Sequence, residues 1–168
     1  MRSSPLLFIA FSLLLGGVHG CGTENSPPPE SVDPAVARID AIPIVPLGVP
    51  LTPALGLPEE SDMFLSTEVV GADDHLIPVE GGRIVVTVWN GAIQRVIYQT
   101  PIRNDDTLQQ YKNDRILSAY TEDGSWDQGT EEESGTLYQR SDGGAFAFWT
   151  REMDYLIVET AEFRNALG

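Results

Sequence analysis

Cysteine occurs once in this chain, at Cys21, and histidine twice, at His19 and His75. A single cysteine excludes an intramolecular disulfide, a thiolate nucleophile in any later domain and every cysteine-based metal site. With His75 the only imidazole beyond residue 20, a Ser-His-Asp hydrolase would have to use it, yet no Gly-x-Ser-x-Gly turn exists to present a serine. Asp73-Asp74-His75, with Glu80 nearby, lacks the helical or hairpin spacing that gathers three or four ligands around a divalent ion, and reads as a solvated loop. Lysine also occurs once, at Lys112. Basic residues number 10 against 25 acidic, a formal charge of −15, and Arg2 is the only charged residue before Cys21, so the chain from Cys21 onward carries −16. A field of that sign repels phosphate backbones and anionic lipid, so nucleic acid is not an expected partner and membrane attachment must be hydrophobic or covalent.

The segment before Cys21 has the three parts of a secretory signal: Arg2, the apolar run Leu6 to Leu15, and the small residues Gly16, Gly17 and Gly20. The run is too short to span a bilayer. In Val18-His19-Gly20-Cys21 an aliphatic residue and a glycine stand three and one places before the lone cysteine. This resembles the lipobox of bacterial lipoprotein precursors, with His19 where that pattern usually has a small residue. The resemblance covers residues 1–21 only. It implies cleavage after Gly20, acylation of Cys21 with palmitate-type chains, and a membrane partner reached through that anchor. With Gly22 rather than aspartate following, it implies the outer membrane facing the periplasm in a diderm cell. A plain signal peptide cleaved after Gly20, yielding a secreted protein, fits the same small residues.

No aromatic residue occurs between Gly22 and Glu60, while Pro27-Pro28-Pro29, Pro34, Pro43, Pro46, Pro50, Pro53 and Pro58 do. Each proline fixes φ and removes a donor, so residues 21–60 are expected to form a tether and not a helix or a central strand. Its half from Ala41 to Leu57 is also apolar, and an extended arm lying along the domain is the alternative for that half. Residues 61–168 remain as one small acidic domain, long enough to bury a core without staples.

The clearest local signal in that domain is Asn90-Gly91 between two β-branched runs, Gly82 to Trp89 and Ala92 to Thr100, which predicts a two-residue hairpin. The register then pairs Trp89 with Ala92, Val86 with Arg95 and Ile84 with Ile97. It places Ile84, Val86, Val88, Ile93 and Ile97 on one face, interrupted by Arg95, and Val85, Trp89, Val96 and Tyr98 on the other. A helix is expected from an Asn104 cap, with Leu108, Tyr111 and Ala119 inward and Lys112 and Arg115 intruding. Strands at Thr136 to Arg140, Ala145 to Thr150 and Tyr155 to Thr160 follow, then a closing helical turn at Ala161 to Leu167. The expected class is α+β: a mostly antiparallel sheet made of an N-terminal hairpin, one helix and a C-terminal three-strand meander.

No catalytic residue, cofactor or metal site is identified. Asp123 to Gly129 alternates oxygens like a calcium loop but lacks the required glycine and glutamate, and Glu131-Glu132-Glu133 reads as a solvated loop or a guarded edge. Trp89, Tyr98 and Trp149 are the candidate ligand-binding residues, as an aromatic platform for a glycan or peptide, with core packing the competing use of such rings. The expected function is a lipid-anchored cell-envelope module that binds or supports an envelope protein, with glycan or ligand binding on an aromatic sheet face as the alternative. A carboxylate-dependent hydrolase would require two carboxyls about 5 to 9.5 Å apart in a cleft.

Overall fold

The computed structural model describes residues 33–60, 62–65, 68–121, 124–127 and 129–168, with backbone alone at residues 64 and 65. Cys21 and the signal segment lie outside the described residues, as do Asp123 and Gln128 of the calcium-like loop. The elements are α1 (Pro34–Asp40), β1 (Asp62–Leu65), β2 (Ala72–Val79), β3 (Gly82–Trp89), β4 (Ala92–Gln99), α2 (Asp106–Ser118), β5 (Thr130–Glu132), β6 (Gly135–Gln139), β7 (Ala145–Thr150), β8 (Tyr155–Thr160) and α3 (Ala161–Leu167). The fold is α+β, one eight-stranded antiparallel sheet with three helices, in the order β1-β2-β3-β4-β8-β7-β6-β5. The expected hairpin is β3–β4 and the expected three-strand meander is β6–β8; β1 and β2 extend the sheet at one side and β5 at the other, and the two parts join where β4 pairs with β8.

The β3–β4 turn forms as its residues require, with Asn90 at φ 54° and Gly91 at φ 78°. The register differs from the expected one. Trp89 pairs with Ala92 and Val88 with Ile93, but Thr87 then pairs with Arg95, Val86 with Val96 and Ile84 with Tyr98. Gln94 is the extra residue of a β-bulge, and because side chains alternate with period two, every residue of β4 beyond it changes face. Arg95 thereby leaves the apolar stripe and joins Thr87, while Tyr98 moves from the side of Trp89 into the core beside Ile84.

The core lies on the face carrying Ile84, Val86, Val96, Tyr98, Leu156 and Val158. Two segments cover it. One is α2, capped by Asp105, whose side chain accepts from Leu108 N at 2.9 Å, and not by Asn104, which sits in the left-handed region at φ 59°. The expected inward stripe is also different. The helix buries Gln109, Lys112, Asn113, Ile116 and Leu117 and leaves Tyr111 exposed.

The second cover is the apolar half of the expected tether. Residues 32–168 form one compact unit, and the half from Ala41 to Leu57 takes the alternative of an extended arm lying along the domain. Ile42 and Val45 are buried in the main core, with Ile44, Leu47, Val49, Leu51, Leu55 and Leu57 against it. Proline-rich backbone can be buried here because its remaining donors and acceptors find partners. Gly48 N donates to Ile93 O at 2.7 Å, and Ile93 N donates to Val49 O at 2.8 Å. At Val45 the arm closes a three-membered ring of hydrogen bonds. Val45 N donates to Tyr98 Oη at 3.2 Å, that hydroxyl donates to Tyr120 Oη at 2.6 Å, and Tyr120 Oη donates to Val45 O at 2.6 Å.

The opposite face is covered at one end by α3. Phe163 is fully buried there against Trp89, at 5.9 Å between ring centroids, and under the Arg95 guanidinium at 5.1 Å. Beneath it Arg95 reaches Glu68 and Thr87, and Thr87 Oγ1 donates to Asp74 Oδ1 at 2.5 Å. Burial raises the Glu159 carboxyl, opposed by its bond from Arg164.

Burial pushes the Tyr98 hydroxyl up to about 12 from its ordinary 10, with the bonds to Tyr120 and Val45 opposing the rise. The folded chain therefore holds this proton where the unfolded chain releases it, and stability falls as pH rises between 10 and 12. Urea midpoints at pH 8, 10 and 11 should show this loss, on the order of 2 kcal/mol by the upper end of the range. In Tyr98→Phe the midpoint should be lower at pH 8 and the alkaline slope shallower.

Candidate functional site

Lys112 lies on the buried side of α2 with no solvent exposure. Its ammonium donates to Thr100 O at 2.9 Å, to Asp154 O at 3.4 Å and to Asp154 Oδ1 at 3.1 Å, so all three of its protons are used. Burial lowers its pKa, and the Asp154 charge opposes that shift. Asp154 sits at φ 55° in the β7–β8 turn, a backbone region that aspartate tolerates better than most residues. Its Oδ1 also accepts from Trp149 Nε1 at 3.0 Å, and its Oδ2 accepts from Ile102 N. One ion pair thus ties together α2, the β4–α2 connection, the β7–β8 turn and the indole of Trp149.

These tied segments form the walls of an open cleft of about 850 Å³ at the ends of β3, β4, β7 and β8. The start of β3 supplies Gly82 and Arg83, and a β-carbon at Gly82 would stand 2.0 Å from Gln99 O, so no other residue allows that approach. The β4–α2 connection supplies Ile102 and Arg103, α2 supplies Asp106 and Gln109, and the turn supplies Arg151, Glu152 and Tyr155. Three arginines therefore line the cleft in a chain of formal charge −15. Arg83 bonds Gln99 through Nε, and Arg151 reaches Glu131. Arg103 has no ion-pair partner among the described residues, unlike Arg95, Arg115 and Arg164, which face Glu68, Asp40 and Glu159. With Asp154 neutralised by Lys112, the cleft is close to charge balance where the chain as a whole is strongly anionic.

The structure does not assemble the expected aromatic platform. Tyr98 is fully buried and holds the arm. Trp89 is on the opposite face, packed on Phe163. Of the three, only Trp149 lines the cleft, half-buried and oriented by Asp154. The Gln94 bulge is the physical reason that Trp89 and Tyr98 part. The cleft residues that composition and spacing missed are Arg83, Arg103 and Gln109. A usable signal was present, since the only lysine sits at an inward position of a helix and calls for a carboxylate elsewhere in the chain. His75 pairs through Nδ1 with Glu60 Oε2 at 2.6 Å, and no three His, Cys, Asp or Glu side chains among the described residues are placed to hold a metal ion. Trp126, whose Nε1 donates to Leu117 O, and Tyr138 line a separate groove with Asp114, Asp127 and Glu131. Comparisons with family models, curated proteins and solved structures match nothing.

Removing one partner of a buried ion pair leaves the other uncompensated, so Lys112→Met should cost about 3–5 kcal/mol in urea unfolding. Lys112→Met combined with Asp154→Asn should recover part of that loss, because the buried charge is then gone while the Asn amide still accepts from Trp149 or Ile102.

Proposed function

We propose that the protein is a cell-envelope lipoprotein, attached through Cys21, whose domain is a binding module with the cleft beside Trp149 as its ligand site. In a diderm cell its place is the outer membrane, facing the periplasm. The observation that carries the binding reading is the cleft itself. Its size falls within the range of ligand sites, its walls are preorganised by the Lys112–Asp154 pair, and it gathers three guanidinium groups, of which Arg103 has no ion-pair partner among the described residues. The attachment reading rests on the lipobox resemblance at Val18 to Cys21.

Binding rather than catalysis is favoured by the state of the polar groups. Asp154 and Lys112 satisfy one another, Arg151 is paired with Glu131, and Arg83 donates to Gln99, so these polar groups are held in place by one another. Such a constellation holds and orients an occupant. An envelope protein as partner, and a glycan as ligand, are the two classes this surface serves, and the cleft favours the ligand.

Two measurements separate the parts of this reading. Intact mass of the membrane-fraction protein should show a chain beginning at Cys21 with a diacylglycerol-sized addition, absent from Cys21→Ser; an unmodified, soluble wild type would remove the anchor. Tryptophan fluorescence titrated with hydrolysed envelope glycan and peptide fragments should show a saturable change. Trp149→Phe should lose most of that amplitude, and flat titrations with every fragment would remove the cleft as a binding site.

A further inference from the structure

We infer that the face of the sheet opposite the main core is an interface, and that its partner is a second copy of this chain. The surface is an apolar stripe that neither core uses.

Register defines the stripe. Val85 pairs with Ile97, Ile97 with Ile157, Ile157 with Phe148 and Phe148 with Leu137, so side chains from β3, β4, β8, β7 and β6 stand in a single row. They lie on the side away from Ile84, Val86, Val96, Leu156 and Val158, because side chains alternate along each strand. None of them belongs to the main core or to the small cluster around Phe163. Val85 is buried, and the other four are half-buried. A solvated face of an antiparallel sheet ordinarily carries polar residues at such positions.

The borders of the stripe give it the anatomy of a contact surface. One step along the strands lies the row of Arg95, Glu159 and Phe146, which α3 covers. The Arg95 guanidinium sits over Phe163, and Arg164 bonds Glu159 at 2.9 Å and lies over the Phe146 ring at 4.8 Å. One step the other way stand Arg83, Gln99, Tyr155 and Thr150. An apolar centre between polar borders is the pattern of protein–protein interfaces.

The occupant follows from composition, charge and shape. Residues 22–31, which precede α1, contain no aromatic residue, leucine, isoleucine, valine or methionine, so that segment does not supply the cover. The one carboxylate in these three rows, Glu159, is bonded by Arg164, so the face offers nothing to a basic partner although the chain carries −15. Its complement is a neutral apolar face, and the chain itself presents one. At one end α3 rises from the surface, and the other end carries no helix among the described residues. A second copy turned about a two-fold axis across the strands therefore sets its own α3 beyond the open end. The two stripes then meet as packed sheets do, with one α3 closing each end.

The area agrees with such a pair. Five strands spaced about 4.8 Å apart, taken over two rows and the flank of α3, give on the order of 500 Å² per copy, or about 1,000 Å² in all, the lower limit for a specific interface. The dimer is therefore reversible. Each chain from Cys21 onward carries −16, so the pair tightens as salt screens that repulsion.

Sedimentation velocity of the full chain carrying Cys21→Ser, exported and purified without detergent, tests this with disulfide dimers excluded, since Cys21 is the only cysteine. A dimer should grow in between about 5 and 500 μM, as an interface near the lower limit implies, and should tighten severalfold from about 50 to about 500 mM salt. Ile157→Thr keeps a β-branched residue in the strand and removes apolar surface at the centre of the stripe; it should weaken the dimer about tenfold or more and leave the dilute chain folded. Hydroxyl-radical labelling of the wild type should show Phe148 and Leu137 protected as concentration rises, a readout that decides the case even where Ile157→Thr does not fold. A chain that stays monomeric throughout the range overturns the inference. So does a dimer that loosens with salt, survives Ile157→Thr unchanged, or leaves Phe148 and Leu137 as reactive as in the monomer. No residue of the stripe lines the cleft, so these outcomes leave the ligand reading there as it stands.

Discussion

A lysine and an aspartate buried together hold this domain in shape. Lys112 is fully enclosed, and Asp154 is its charge partner across the sheet end. Taking both charges out of water is costly, and the pair is tolerated because nothing in it is left unmet. The ammonium has three acceptors, while the carboxylate accepts from the ammonium, an indole and a backbone amide. The consequence is geometric. Two connections that composition would mark as independent loops, the β4–α2 segment and the β7–β8 turn, are bound to one point on α2, and the cleft they enclose needs no ligand to give it form.

A second constraint is one of area. A sheet of eight strands needs cover over its apolar face, and a helix of 13 residues that buries a glutamine, a lysine and an asparagine supplies little of it. The residues from Ile42 to Leu57 make up the deficit. Proline suits this role, because an extended segment lying across strands needs few donors and loses less entropy on ordering than a flexible one. The Val45, Tyr98 and Tyr120 ring then satisfies the backbone where burial is deepest.

The parts of the fold that could be read from the chain are those set by local chemistry. Asn90-Gly91 specifies its turn, and the alternation in Ala145 to Thr150 and Tyr155 to Thr160 specifies strands at the residues where they occur. Gln94 defeats the reading of faces, since nothing in Ala92-Ile93-Gln94-Arg95 marks a bulge, and one unmarked residue reverses Arg95 and Tyr98 together. The α2 stripe was misread because its inward positions are polar, and their burial depends on partners far away in sequence, such as Asp154. β2 contains Asp73-Asp74-His75 and Pro78, which argue for a loop, yet Asp74 is buried because Thr87 and Arg95 face it. The candidate site was legible only at Trp149, because a cleft built from strand ends and turns has no signature in any one stretch of residues.

The sheet order also bears on how the chain acquires its structure as it is made. β1 to β4 follow one another in sequence and in space, so successive hairpins can form as the residues appear. The free edge of β4 is different, because its neighbour is β8, whose partner residues Leu156 to Glu159 lie about 60 positions later. A chain released from its N-terminal end therefore presents an unpaired central edge, rich in isoleucine and valine, until nearly its last residues emerge. The arm is made before β4, and in the folded chain it bonds both backbone groups of Ile93, so one end of that edge has its partner among residues that precede it.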